Sequence, residues 1–272
     1  MRRLVNSKPS RGGGVALSLL PFVLLVAVYL FGSNVRLAEN PNDKLLPGIS
    51  TLGAAIHQMA FEEDPRSGNV VLWLDTASSL KRLAVALTIS ACIGLGLGIA
   101  IGLIPYINSL LAPIVAAIAM IPPLAILPIL FIVVGLGEAA KISLIVIGVA
   151  PCIARDIALR VGELPIEQTI KAQTLGASTW HLVVRIVLPQ MWPRLIDSLR
   201  LSLGSAWLFL IAAEAIASTE GLGYRIFLVR RYLAMDTILP YVFWIAALAF
   251  ASDWLLRRLR ARAFPWAEPA TK

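Results

Sequence analysis

Charged residues are scarce in this sequence of 272 residues. Only 15% of them are Asp, Glu, Lys or Arg, whereas 58% are hydrophobic, and the mean hydropathy is +0.80. Soluble domains average about 25% charged and about 45–50% apolar residues. The shortage of charge excludes an ordinary cytosolic enzyme, a disordered tail and a nucleic-acid-binding module, so no nucleic-acid partner is expected. The apolar surplus indicates that lipid is the solvent for most of the chain.

Cysteine and histidine are almost absent, with two residues of each. Cys92 and Cys152 lie in apolar runs and are expected to be buried, and so few ligands build neither a disulfide framework nor a metal site. Both histidines fall outside the predicted spans, which argues against a membrane-embedded enzyme. The sequence also lacks the G-x-x-x-x-G-K-[ST] phosphate-binding loop. We therefore expect a chain that is not an enzyme and binds no cofactor or metal itself.

Long uncharged runs predict an all-α membrane protein with about six transmembrane helices. Residues 83–137 carry no charge. Since one span needs about 20 apolar residues, this stretch has room for two spans and a turn at 105–109. The predicted spans lie near 15–31, 83–104, 112–136, 141–159, 196–217 and 237–256.

The polar segment 36–75 is predicted to lie on the outer side of the first span. Apolar residues recur there at helical spacing, which predicts a short amphipathic helix at 52–59. Asp75 is the predicted N-cap of a helix over 76–104. At 1.5 Å per residue this helix would be ~44 Å long, more than the ~30 Å hydrocarbon core. Its first turns should therefore project beyond the membrane, with Lys81 and Arg82 at the boundary.

Lys and Arg are concentrated on one side of the predicted spans. Most of the 24 Lys and Arg residues fall in segments that are internal if the N-terminus is inside, and basic loops of membrane proteins face the cytoplasm. Four arginines after the last span favour this orientation, namely Arg257, Arg258, Arg260 and Arg262. A short outer loop opposes it weakly, because it holds Arg225, Arg230 and Arg231. Basic residues beside spans fit a membrane surface better than nucleic acid.

Small residues and prolines indicate special packing inside the membrane. Small side chains recur every four residues along the second span, which lets another helix approach closely; they are Ala86, Ser90, Gly94, Gly98 and Gly102. The third span is interrupted by Pro122, Pro123 and Pro128. An interrupted helix marks either a transport pathway or a static kink, and both interpretations stay open here.

Glu214 is the strongest candidate for a functional charge within a span, because intramembrane charges are costly. It falls near the outer end of the fifth span. Structural hydrogen bonding is favoured over contact with a solute in a pathway, and both stay open. Asp253 and Arg257 are four residues apart, a spacing that predicts an ion pair on one helix.

Residues 160–195 form the most informative polar segment. Pro165 suits a first helical turn, and Gly176 suits the end of that helix. Pro189 is predicted to stop a second helix before the fifth span. The pattern therefore predicts a helix, a turn and a second helix outside the membrane.

This segment resembles the EAA loop of permease subunits of binding-protein-dependent ABC importers. The family pattern is E-A-A, three residues, G, nine residues, I-x-L-P. The matching residues are Ala172, Leu175, Gly176, Ala177, Trp180, Ile186, Leu188 and Pro189. The chain departs from the pattern at Ile170 and Lys171, which occupy the places of the glutamate and the first alanine. Glu167, one turn earlier, is a candidate substitute for that glutamate.

Three further segments resemble the nitrate, taurine and alkanesulfonate branch of the same family. They are I-P-P-L-A at 121–125, G-L-G-E-A-A-K at 135–141, and A-E at 213–214 followed by G-L-G-Y at 221–224. The resemblance implies a MetI-like permease fold and a pathway for a small anionic or nitrogen- or sulfur-containing solute, such as taurine, an alkanesulfonate or nitrate.

The resemblance also implies partners and an organisation. A periplasmic binding protein would deliver the solute, a second permease copy, as a homodimer, would complete the pathway, and a cytoplasmic ABC ATPase would bind ATP and Mg²⁺. The helix at 166–177 would dock on that ATPase. The implied parts are a cytoplasmic N-terminus (1–14), a first transmembrane helix (15–35), a periplasmic segment (36–75), a core transmembrane domain (76–256) with the coupling loop 160–195, and a cytoplasmic tail (257–272), all in a bacterial inner membrane.

Two alternative transport functions stay open. The first is a permease of another ABC import branch, of the thiamine-precursor or methionine type. The second, less favoured, is a stand-alone secondary carrier. A carrier predicts intramembrane ion sites and an inverted repeat, and the sequence shows neither.

Overall fold

The computed structural model describes residues 10–40, 43–64 and 68–267, without the side chain of Arg11. Every regular element among them is helical, which confirms the predicted all-α class. The elements are α1 (Arg11–Glu39), α2 (Ile49–Phe61), α3 (Val71–Leu103), α4 (Pro105–Met120), α5 (Pro123–Val134), α6 (Glu138–Gly162), α7 (Ile166–Thr174), α8 (Thr179–Leu182), a π-helical turn (Val183–Val187), α9 (Leu188–Ala217), α10 (Leu222–Arg230), α11 (Met235–Ala263) and a 3₁₀ turn (Pro265–Ala267). Arg2, Arg3, Lys8 and Lys272, which contribute to the predicted inner charge, lie outside the described residues.

Within the described residues, five helical runs are long and apolar enough to cross a membrane, namely α1, α3, α6, the run 179–217 and α11. The α4–α5 pair counts as a sixth candidate only if it is one broken span, since its helices meet at an angle of 95°. The break falls at Ile121 and Pro122, the first of the prolines predicted to interrupt this span. This pair replaces the predicted span 112–136 and begins earlier, at Pro105, because the predicted turn at 105–109 is reduced to a break at Ile104.

The core is built on the small residues of α3, which pack against α6. A Cβ atom added to the three glycines of this row would lie 2.5–2.6 Å from an α6 side chain: Ile153 at Gly94, Ile157 at Gly98 and Val161 at Gly102. Real Cβ atoms do not approach so closely, so larger residues cannot occupy these positions without displacing α6. Helix α9 packs on both α6 and α3. These three helices hold most of the buried apolar side chains.

The start predicted for the helix over 76–104 is wrong. Helix α3 begins at Val71 and has 33 residues, or about 50 Å. Asp75 is therefore not an N-cap but lies inside the helix with its side chain buried. Arg82 is also buried, and its place at the membrane boundary stays a prediction. Both side chains turn inward because they find polar partners on other helices.

Pro189 does not stop a helix, contrary to the prediction. The turn before α9 is π-helical, and the Leu188 N–H reaches back to the carbonyl of Val183. Because proline has no N–H and its ring clashes with the carbonyl four residues earlier, the wider turn lets the helix continue through it. The backbone is consequently helical from Thr179 to Ala217.

Both cysteines are exposed on the surface of the chain, which corrects their expected burial. Cys92 lies midway between Ser90 and Gly94, and two residues turn a helix through about 200°. Its side chain therefore points away from α6. Apolar runs in a membrane helix do not predict burial in protein, because lipid covers the outer face equally well.

Helix α1 stands apart from this core. None of the residues in its most apolar 18-residue window is buried. The segment that follows folds back on α1: the hydroxyls of Tyr29 and Ser33 donate hydrogen bonds to the carbonyls of Pro47 and Leu46, at 2.7 and 3.0 Å. Helix α2, where the amphipathic helix is predicted, then packs on α11 and α3.

Candidate functional site

The helix-turn-helix segment of α7 and α8 protrudes from the helical core. Helix α7 has no buried residue. Large apolar side chains are exposed on it and just after it, namely Ile166, Ile170, Leu175 and Trp180. Since this segment is too polar to lie in lipid, such a cluster of exposed apolar residues is typical of a protein-binding surface.

The turn between the two helices depends on Gly176, whose φ is +81°. The Ala177 N–H donates to the carbonyl of Ala172 at 3.0 Å, and the Gly176 N–H donates to Gln173 at 2.9 Å. This pair of bonds is the Schellman motif, which ends a helix with a glycine in the left-handed region. Ser178 then caps α8 by accepting from the His181 N–H. The turn is thus closed by its own backbone and needs no support from the core.

The other predicted residues of this loop are distributed over the same segment. Glu167 and Lys171 are exposed, Ala172, Ala177, Ile186 and Leu188 are half-buried, and Pro189 is exposed. A side-chain hydrogen bond of 3.1 Å from Gln190 to Gln168 ties the start of α9 to α7. This bond is a direct link between α7 and the long helix α9.

Glu214 lies at the centre of a buried polar network at the other end of α9. Its side chain is 0% exposed. It accepts hydrogen bonds from Arg82 Nη1 at 2.8 Å, Ser79 Oγ at 2.8 Å and the Gly223 N–H at 2.9 Å. The carboxylate therefore joins α3, α9 and the start of α10.

Asp75 extends the network on α3. Its two oxygens accept hydrogen bonds from the Gly221 N–H at 2.8 Å, Arg225 Nε at 2.9 Å and the Tyr241 hydroxyl at 3.0 Å. The neighbouring Leu222 N–H donates to Ser79. Side chains of α3 and α9 thus occupy the first N–H groups of α10, where the helix dipole also favours negative charge. The loop between α9 and α10 is consequently fixed to α3.

Arg82 connects this network to α6. Its guanidinium binds Glu138 through Nε at 2.6 Å and Nη2 at 2.9 Å. Lys141, one turn along α6, donates to the same carboxylate at 2.7 Å and to Ser218 at 3.1 Å. The network holds five helices together, namely α3, α6, α9, α10 and, through Tyr241, α11.

The sequence analysis singled out Glu214 but missed most of its partners. Glu138 and Lys141 belong to the G-L-G-E-A-A-K segment at 135–141, but no contact with Arg82 was predicted for them. Asp75 and Arg82 were assigned to a helix start and a membrane boundary. The missed signal is their spacing: Asp75, Ser79 and Arg82 recur at three and four residues and so share one face of α3.

The two predicted pathway features are far apart in the chain and differ in exposure. Glu214 is enclosed by protein on all sides in the isolated chain. Pro122 is exposed at the sharp bend between α4 and α5, and Pro123 lies against α6, 3.0 Å from where a Cβ atom at Gly148 would be. Of the two, only the bend presents its residues to the surroundings.

A family model and the similar proteins agree on one family for this chain. The family model described as "Binding-protein-dependent transport system inner membrane component" matches residues 92–264. The taurine transport system permease protein of Escherichia coli (strain K12) is 36% identical over 198 residues, which are 73% of this chain and 72% of that protein. The bicarbonate transport system permease protein of Synechococcus elongatus is 30% identical, over 69% of this chain and 71% of that protein.

A solved structure has the same fold. The chain resembles one from the inward-facing MetNI methionine ABC transporter with a TM-score of 0.54, over 69% of this chain and 96% of that chain. Their sequence identity is 20%, so the likeness concerns the fold.

Proposed function

Because the chain belongs to the family of inner membrane components of binding-protein-dependent transport systems, and is thus an ABC import permease subunit, we propose that it imports a small sulfonate or other small anion. The substrate class follows from the relatives: a taurine permease is 36% identical, and bicarbonate and nitrate permeases are 30% and 27% identical. Taurine, an alkanesulfonate or nitrate is the proposed solute. A methionine-type permease is not favoured, because its likeness is one of fold.

The family implies an ATPase and a substrate-binding protein as partners, and we propose α7 and α8 as the surface that the ATPase contacts. The exposed apolar side chains of this segment support the docking, since they have no cover in the isolated chain. ATP and Mg²⁺ would be held by the ATPase. Closure of the ATPase would push α7, and the hydrogen bond between Gln168 and Gln190 would pass that movement to α9.

The remaining organisation is proposed on the same basis. Two copies of the chain would form the pathway in a bacterial inner membrane and contact lipid through their apolar faces. Both termini and residues 160–195 would be cytoplasmic, whereas 36–75 would be periplasmic, with the core over 76–256. The arginines after α11 support this orientation.

The self-contained turn at Gly176 is the observation that carries the docking proposal. Because φ is +81° there, a Gly176→Val variant should distort the turn and misplace Trp180. We expect the variant to insert in the membrane but to lose the co-purifying ATPase and ATP-dependent uptake. Gly162→Val is the matched control, because Gly162 ends α6 without the left-handed φ and has no atom within 4 Å of an added Cβ.

Uptake into vesicles with the binding protein present identifies the solute. Labelled taurine should enter only with ATP, and unlabelled alkanesulfonates or nitrate should compete if they share the pathway. Unchanged ATPase recovery with Gly176→Val would contradict the docking surface. Uptake without any ATPase would instead indicate a secondary carrier.

A further inference from the structure

A basic cleft lies where α6 and α11 end and α9 begins, next to the start of α7. Its volume is about 400 Å³. Three arginines from three helices line it: Arg160, Arg194 and Arg260. Glu163 is the one carboxylate among the described lining residues. The lining residues therefore carry three positive charges and one negative charge.

Carboxylates hold two of these arginines in place without using all of their N–H groups. Arg160 Nη1 lies 3.2 Å from Glu163. Arg260 Nε lies 3.3 Å from Asp197, and its Nη2 donates to the Ala267 carbonyl. Each guanidinium keeps one terminal nitrogen without a hydrogen-bond partner among the described residues. Each of these oriented guanidinium groups can still donate a charge-assisted hydrogen bond to a phosphate oxygen through its free terminal nitrogen.

Arg194 supplies the unneutralised charge of the cleft. It is exposed, and the described residues offer it no carboxylate within ion-pair distance. The neighbouring Gln190 adds a side-chain amide to the lining. An anion entering the cleft would thus meet one uncompensated guanidinium and two that are already oriented.

The surroundings of the cleft are apolar and aromatic. Trp266 lines it and is exposed. Leu255 and Leu259, also exposed, continue an apolar surface along α11, and Arg258 lies over the ring of Trp254 at 5.1 Å. Tryptophan and arginine together at the end of a membrane helix are typical of the interface between hydrocarbon and headgroups. A ligand with an anionic head and apolar tails fits both parts.

We propose that this cleft binds the phosphate of an anionic phospholipid in the cytoplasmic leaflet. Basic pockets between membrane helices on that side recognise such headgroups. The lipid would bridge α9 and α11 beside the start of α7, and so would brace the segment proposed to contact the ATPase. This inference goes beyond the proposed transport function and shares with it only the orientation of the chain.

The test measures lipid binding to the full permease without the ATPase. Delipidated protein is titrated with phosphatidylglycerol, and bound lipid is counted by native mass spectrometry, with phosphatidylcholine as the neutral comparison. An arginine near a membrane surface contributes about fivefold in affinity. Arg194→Gln should weaken phosphatidylglycerol binding by about that factor, and Arg194→Lys should recover part of the loss because it keeps the charge.

Arg262→Gln is the matched control. It also removes one arginine charge, near the end of α11 that borders the cleft, but Arg262 does not line the cleft. An equal loss with this control would mean diffuse attraction to the basic tail and would overturn the proposal. Inorganic phosphate that binds as tightly as the lipid would overturn the lipid assignment. Both results are independent of ATPase recovery, which tests the transport function separately.

Discussion

Arg82 of α3 and Glu214 of α9 form an ion pair with an Nη1–Oε1 distance of 2.8 Å, and their side chains are 5% and 0% exposed. A charge buried without a partner would be costly. Here each group has several partners, because Arg82 also binds Glu138, and Glu214 also accepts from Ser79 and Gly223. The pair thereby joins α3 to the end of α9 that lies away from the helix-turn-helix segment.

Removing one member of this pair should destabilise the protein strongly. We expect Glu214→Ala to lower the free energy of unfolding by about 3 kcal/mol, because the buried donors of Ser79, Gly223 and Arg82 lose their acceptor. Arg82 itself stays paired with Glu138. Thermal unfolding in detergent measures the effect. Glu163→Ala is the control: this carboxylate also pairs with an arginine but is exposed, so its loss should cost about 1 kcal/mol or less. Equal losses for the two variants would contradict the structural role of the network.

The small-residue face of α3 gives a second prediction. Gly98→Leu should destabilise the packing of α3 on α6, because a Cβ atom there would lie 2.6 Å from Ile157. Overpacking costs about 1–3 kcal/mol, and we expect a matching loss of folded, active protein. Gly96→Leu is the control, since an added Cβ at Gly96 has no neighbour within 4 Å. A stable, active Gly98→Leu variant would contradict this packing surface.

Residue spacing predicted the small-residue face without naming its partner. A row of small side chains predicts that some helix approaches closely, but the choice of α6 depends on the shapes of Ile153, Ile157 and Val161. Whether these side chains fit onto the small residues of α3 depends on the three-dimensional packing, which residue spacing does not give. The same limit applied to Asp75, because its partners lie more than a hundred residues away in sequence: the Gly221 N–H and the side chains of Arg225 and Tyr241.

The helix-turn-helix segment was more predictable because its contacts are local. The Schellman bonds at Gly176 join residues at most five apart, so glycine and its neighbours suffice to predict the turn. Pro189 was misassigned because the usual rule treats proline as a helix stop. The π-helical turn before it provides an alternative that local sequence does not reveal.

Asp43 gives a prediction about pH in the segment that folds back on α1. The Leu45 N–H and, secondarily, the Arg36 guanidinium lower the pKa of the Asp43 carboxyl below its ordinary value. A lowered folded-state pKa means that the ionised form stabilises this contact above the unfolded pKa, near about 4. The stabilisation should be lost as the pH falls through the lower, folded-state pKa.

Hydrogen exchange at the Leu45 amide, corrected for the intrinsic rate, measures this change. We expect protection at neutral pH and its loss in acid. Asp43→Asn keeps a side-chain oxygen but does not titrate, so its exchange should lack the acid transition. A transition that persists in this variant would assign the pH dependence to another group.

Trp180 provides the sharpest test of the exposed surface on α7 and α8. Its side chain is 72% exposed, so truncation to alanine removes little packing within the chain and should leave thermal stability unchanged. Buried tryptophans at protein interfaces are frequent hot spots, and losing one costs about 2 kcal/mol or more. Trp180→Ala should therefore weaken ATPase binding by about 30-fold or more, measured by titrating ATPase onto the permease in nanodiscs.

Leu201→Ala is the control, because Leu201 is 83% exposed but lies on α9, outside this segment. Equal ATPase affinity for the two variants would show that the ATPase contacts the permease elsewhere, whereas a loss confined to Trp180→Ala would assign the exposed apolar surface to docking.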